Sequence, residues 1–267
     1  MVKGLYTAYT GMVNEQKRMD VLTNNLANAT TVGYKKEGMV AQSFNDRLAI
    51  KIKDTSYGRK LVKGIGDITF GVKVGETYTD WSEGSFKITD EPSDFCIAGP
   101  GFFAIEFTNK QGETSVKYTR DGQFTVDVDG YLRTSDGDYV LTQDAAMAGL
   151  TGEGNRVQIN PLLSYSVSTT GEIYQDGALV TEVGLVDIEN YDNWIKYGEN
   201  LYDLLEGTEL LEGTGDIENG MLEYSNVNVV DEMVNMIAIQ RAYEANQKLI
   251  QTADSTMDKA VNTVGRV

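Results

Sequence analysis

The last forty residues constrain this chain most. From Asn226 to Val264 there is no glycine or proline, and apolar side chains recur at alternating steps of three and four. Met236, Ile239, Tyr243, Ile250, Ala253, Met257, Ala260 and Val264 define a heptad seam with one polar interruption, Asn246. Asn228 is placed to cap the helix, and Asp231 and Glu232 put negative charge on its first turn. At ~1.5 Å per residue such a helix is roughly 50 Å long. A second stripe (Val230, Val234, Ile237, Ala245, Leu249) widens the apolar surface beyond one seam. A helix that is sticky on two sides needs partners.

Residues 3–28 predict a second amphipathic helix, with Leu5, Ala8, Met12, Glu15, Met19, Leu22 and Leu26 in the same alternation. Matching seams at opposite ends of a chain have two readings: a helical pair within one subunit, or contacts between subunits. A buried asparagine such as Asn246, which fixes register in a bundle, favours the second. The helix then meets Asn24, Asn25, Asn28, Thr30, Thr31 and Gly33, poor helix interior but good helix ending. Asn28 is expected as a left-handed cap and Gly33 as a tight turn.

Apolar residues make up 41% of the 267, enough for a real core. There is no histidine and a single cysteine, Cys96, which excludes an internal disulfide, a Cys/His zinc site and nucleophile–histidine catalysis. No apolar run reaches the ~18 residues of a membrane helix. The first residues lack the unbroken apolar core of a secretory signal, so work outside the cytoplasm would require another export route.

The net charge of −17 is unevenly placed. Residues 1–66 carry eleven basic against five acidic side chains, net +6; residues 67–225 carry eight against thirty, net −22. An acidic middle argues against nucleic acid as a partner. Residues 46–66 hold six Lys/Arg against Asp46 and Asp54 and are expected as an extended basic connector arm. Between copies of the chain, the basic end would meet the acidic middle in contacts that salt screens beyond ~10 Å at 0.1 M.

From Asp67 to Tyr224 the pattern becomes short alternating runs. Thr69–Val74, Phe103–Phe107, Phe124–Val128, Tyr131–Arg133 and Tyr139–Leu141 predict strands, with hairpin turns at Asp121-Gly122, Asp129-Gly130, Asp136-Gly137 and Asp176-Gly177. Three motifs tempt a ligand reading. Gly99-Pro-Gly101-Phe-Phe-Ala104 has dinucleotide-loop glycines, but Phe102–Phe107 reads as a strand where that loop must open a helix. Asp127–Asp138 has the carboxylates of a calcium loop with glycine at the wrong place, and two hairpin turns explain it better. Thirty acids provide carboxylate pairs of glycosidase type, yet nothing singles one out. No catalytic residue, metal or cofactor is expected.

Several segments resemble the bacterial flagellar rod and hook axial proteins. Leu22-Thr-Asn-Asn-Leu-Ala-Asn28 followed by Thr31, Gly33, Tyr34 and Lys35 resembles that family's N-terminal signature, and Ser225–Met236 with Gln240–Asn246 its C-terminal one. Ala98–Phe103, Tyr118–Phe124 and Gly198–Tyr202 are similar to its internal landmarks; the resemblance is not traced through residues 142–198. The resemblance is to basal-body rod proteins of the FlgG and FlgF type rather than the longer hook protein. The expected fold is α+β: a discontinuous, coiled-coil-like helical domain from both termini (1–45 and 226–267), the arm 46–66, and an inserted all-β domain (67–225). The resemblance implies a non-enzymatic, exported subunit that self-assembles into a helical tubular axle and contacts other rod and hook proteins and the flagellar export apparatus. The expected assembly residues are Leu5, Met12, Met19, Leu22, Asn24, Asn25, Leu26, Asn28, Gly33, Tyr34, Met236, Ile239, Tyr243, Asn246, Ile250 and Met257. A hook-type subunit and a coiled-coil-tethered β module that binds a cell surface are the alternatives.

Overall fold

The computed structural model describes residues 2–44, 47–52, 62–198 and 200–264. The fold is α+β, with two long helices and many short strands. Helix α1 is Val2–Ala27, α2 is the six-residue Gln143–Ala148, and α3 is Val229–Lys259. The chain divides into two compact units. One comprises 1–27, 36–80 and 228–267; the other comprises 28–35 and 81–227.

The helical unit packs α1 along α3. Asn228 caps α3 as its position suggests, its side chain accepting from the Val230 amide at 3.0 Å. The expected seams face inward. Ala8 and Ile239 are buried; Leu5, Met12, Met19, Leu22, Leu26, Met236, Tyr243, Asn246, Ile250, Ala253 and Met257 are half-buried; Ala260 is exposed. The unit also holds two antiparallel pairs. Glu37–Ser43 pairs with Val72–Thr79, and Arg47–Ile52 with Val62–Ile68. The ends of the expected basic arm thus form a hairpin, whose middle, 53–61, lies outside the described residues. The strand expected at Thr69–Val74 runs from Val72 to Thr79 and belongs with the helices, because its hydrogen-bonding partner is the strand that follows α1.

The β unit is built on a nine-stranded antiparallel sheet whose central strand is Phe102–Thr108. Successive side chains of a strand point to opposite faces. Phe103 and Ile105 accordingly join one core with Phe95, Phe124 and Leu132, while Phe102 and Ala104 join another with Tyr118, Trp194 and Tyr202. All four are fully buried, so both faces of this strand are covered. The Gly99–Ala104 segment therefore feeds a strand, as its residues suggested. Asp127–Asp138 forms two successive hairpins, Thr125 opposite Arg133 and Arg133 opposite Tyr139, and Asp176-Gly177 closes a third, between Gln175 and Ala178. Asp121-Gly122 differs from expectation. Gly122 makes no hairpin; a Cβ there would lie 1.6 Å from the Phe95 carbonyl oxygen, so glycine permits a close chain crossing. Residues 142–198 add α2 and a three-stranded sheet, Tyr165–Val167, Glu172–Gln175 and Ala178–Glu182.

Candidate assembly surface

The expected assembly residues divide by environment, and most are engaged within the chain. Asn246 faces α1 where it is thinnest: a Cβ on Gly11 would sit 3.1 Å from Asn246 Nδ2. Glycine inside a helix costs roughly 0.5–1 kcal/mol relative to alanine, and here it admits a polar side chain into the seam. Asn25 is fully buried, donating to the Glu37 carbonyl at 2.8 Å and accepting from the Glu37 amide at 3.0 Å. Both ends of one amide thus clasp the end of α1 to the following strand. Asn24 is exposed. In the same unit, Lys36 Nζ lies 2.5 Å from Oε1 of the fully buried Glu232.

The signature turn belongs to the β unit. Asn28 is not left-handed: its carbonyl accepts from the Thr31 amide and its side chain from the Thr31 hydroxyl. The left-handed residue is Gly33, at φ +68°, where a Cβ would lie 2.4 Å from the Arg120 carbonyl carbon. Tyr34 is buried with Lys196 Nζ 4.3 Å from its ring centre. Lys35, part of the signature but not among the expected assembly residues, is buried and donates to Glu223 Oε1 at 2.6 Å and to the Ser82 carbonyl at 2.9 Å. Burial pushes its ammonium pKa below the ordinary lysine value, and Glu223 opposes that shift. Arg120 reaches the other oxygen of Glu223 at 3.4 Å. Basic residues of a signature are normally read as surface charge, so only their three-dimensional neighbours reveal this network.

The second stripe of α3 is different. Val230, Val234, Ile237 and Leu249 are 67%, 59%, 52% and 59% exposed, with Ala245 also exposed beside them. No helix among the described residues is long and apolar enough to cross a membrane, so this stripe is not a spanning segment.

Three family models match the chain. Residues 5–35 match the flagella basal body rod protein model, 96–175 the flagellar hook protein FlgE/F/G D1 domain, and 218–263 the flagellar basal body rod FlgEFG protein C-terminal model. The flagellar basal-body rod protein FlgG of Buchnera aphidicola subsp. Schizaphis graminum is 32% identical over 270 residues, 97% of this chain and 98% of its own. The chain belongs to the flagellar basal-body rod protein family. The FlgG rod protein of Bacillus subtilis is also 32% identical, covering 98% of this chain, and the flagellar hook-basal body complex protein FlhO of the same organism is 29% identical over the whole chain. Within this rod-family chain the N- and C-terminal matches meet physically in the β unit: Lys35 closes the first and Glu223 lies near the start of the other. A structural role in the flagellar basal body goes with membership of the rod family.

Proposed function

We propose that this rod-family chain is a self-assembling subunit that builds a helical tube through the helices of its two termini. The β unit supplies lateral contacts. The observation that carries the reading is the exposed apolar stripe on α3, left over after α1 has covered the seam on the other side. Burying a Val, Leu or Ile side chain contributes about 1.5–3 kcal/mol, so the stripe favours association once copies are concentrated. In this reading the helices of the two ends form the assembling domain, and the β domain is inserted between them. In this mechanical role the chain is a non-enzyme, exported through the flagellar channel to an extracytoplasmic position in the rod. Its partners are further copies, other rod and hook proteins and the export apparatus, with no part for nucleic acid or a cofactor.

The test uses the outer stripe rather than Leu26 or Met236, because those two are half-buried inside the chain and an aspartate there would also disturb folding. The expected outcome for Val234→Asp combined with Ile237→Asp is an unchanged thermal unfolding curve, no polymer by electron microscopy at high concentration, and absence from purified basal bodies. Basal bodies that retain the doubly substituted chain, in motile cells, would sink the assignment. A wild-type chain with a fixed small oligomer number at every concentration would point instead to the tethered surface-binding module.

A further inference from the structure

The helical unit carries a cleft of about 200 Å³ lined by the second half of α1, the strand Glu37–Ser43 and the first half of α3. Val21, Leu22 and Ile239 give it apolar walls, and Tyr78, 55% exposed, stands at it. Glu232 lines the cleft and is fully buried. Its Oε1 is paired with Lys36, but its Oε2 has no hydrogen-bond partner among the described residues. A buried carboxylate oxygen is costly to leave without a donor. Charge points the same way. Glu37 and Glu232 line the cleft with Lys36 and Arg18, and Arg18 is already held by Glu15 at 3.2 Å. Counting that partner, carboxylates outnumber cations by one. A long side chain with an apolar stem and a cationic, multiply donating head fits this lining, and a planar guanidinium also stacks on an aromatic ring such as Tyr78.

Arg241 is such a side chain. It is exposed, and among the arginines whose side chains are described it has neither an ion pair nor a hydrogen bond; Arg18, Arg120, Arg133 and Arg156 are all paired. It follows Val230, Val234 and Ile237 at helical spacing, so it sits within the exposed apolar stripe. Residue 241 is nine positions beyond 232, and at about 100° per residue that places it on the opposite side of α3 from Glu232.

We propose that Arg241 of one copy inserts into the Glu232 cleft of the next, where the Glu232 side chain turns to bring its buried Oε2 within reach and the guanidinium donates to it. This rests on the self-assembly reading and goes beyond it by naming the contact and its polarity. Donor and receptor lie on opposite sides of one helix, so a joined pair keeps one free cleft on the copy that gave its arginine and one free arginine on the copy that received it. The contact is heterologous and propagates instead of closing into a two-fold dimer.

The full-length chain, alone and as Arg241→Ala, is followed by sedimentation and electron microscopy over rising concentration. Arg241→Ala alters an exposed side chain, so its circular dichroism and unfolding curve should match the wild type. Its polymer should appear only at a threshold at least about tenfold higher. Independently, Arg241→Cys chains mixed with Asn235→Cys chains, whose substituted residue lines the cleft, should form disulfide dimers under a mild oxidant faster than either variant alone. If the wild type polymerises but Arg241→Ala does so at the same threshold, and the mixture cross-links no faster than the single variants, the contact is wrong while self-assembly stands. A wild-type chain that stays monomeric throughout overturns both.

Discussion

Glu223 is the residue on which the two signature segments converge. Its carboxylate accepts from the buried Lys35 and Arg120 and from the amide of the half-buried Gly84 at 2.8 Å. Removing one partner of a buried ion pair leaves uncompensated charge, at a cost of about 3–5 kcal/mol. Glu223→Ala strands two cations, whereas Lys35→Met leaves Glu223 with Arg120 and the amide. Urea unfolding should therefore show the first substitution to be the more damaging, and equal losses would contradict the network. Asp121, next to Arg120, behaves in the opposite sense. Burial, aided by the charges of Asp136 and Asp94 and opposed by a hydrogen bond from the Gln123 amide, pushes its carboxyl up to about 6 from 3.8. Between those values the native state holds a proton that the unfolded chain has released, so this group's contribution to stability falls as pH rises through the window. Asparagine keeps the acceptor for Gln123 without the charge. Asp121→Asn should stabilise the protein by on the order of 1 kcal/mol at pH 7.5 and make no difference at pH 3.5. A gain of the same size at both pH values would count against the buried-charge explanation.

At the scale of elements, the pair α1 and α3 depends on one point of close approach. The Gly11 position meets Asn246, whereas a Cβ at Gly4, earlier in α1, would have nothing within 4 Å. Gly11→Leu forces the helices apart or displaces Asn246, and overpacking of this kind costs typically 1–3 kcal/mol, roughly. Gly4→Leu only gains helix propensity, about 0.5–1 kcal/mol. Far-UV circular dichroism during urea unfolding should separate the two in sign; indistinguishable curves would mean that the helices do not pack in this register. The seams were legible because a 3.6-residue period is written in consecutive positions. The caps were less so. Asn28 has the composition of a left-handed cap, but its side chain is occupied by Thr31, and the left-handed turn falls five residues later at Gly33. Composition marks where a helix stops without deciding which residue takes the strained conformation.

At the scale of the whole molecule, the least legible part was the sheet. Its strands are only two to seven residues long, and neighbours come from distant parts of the chain: Leu185 pairs with Phe103, and Leu201 with Thr119. Local alternation announces that a strand exists but holds no information about such a partner. The same limitation explains the strand near residue 72, whose apolar pattern is that of a β-domain strand although its partner follows α1. The charge division between a basic first quarter and an acidic middle was readable at once, being a property of composition alone.

The sequence by itself determined the two long helices, the positions of their apolar seams, the Asn228 cap, three of the four Asp-Gly hairpin turns and the resemblance to rod proteins, because each is encoded in residues adjacent or one turn apart. Tertiary structure decided which of two apolar stripes α1 would cover, and so which remains exposed on α3. It also decided that Asn25, Tyr34 and Lys35 would be buried. Burial depends on what arrives from elsewhere in the chain, and a side chain 188 positions away from Lys35 supplies its counter-charge.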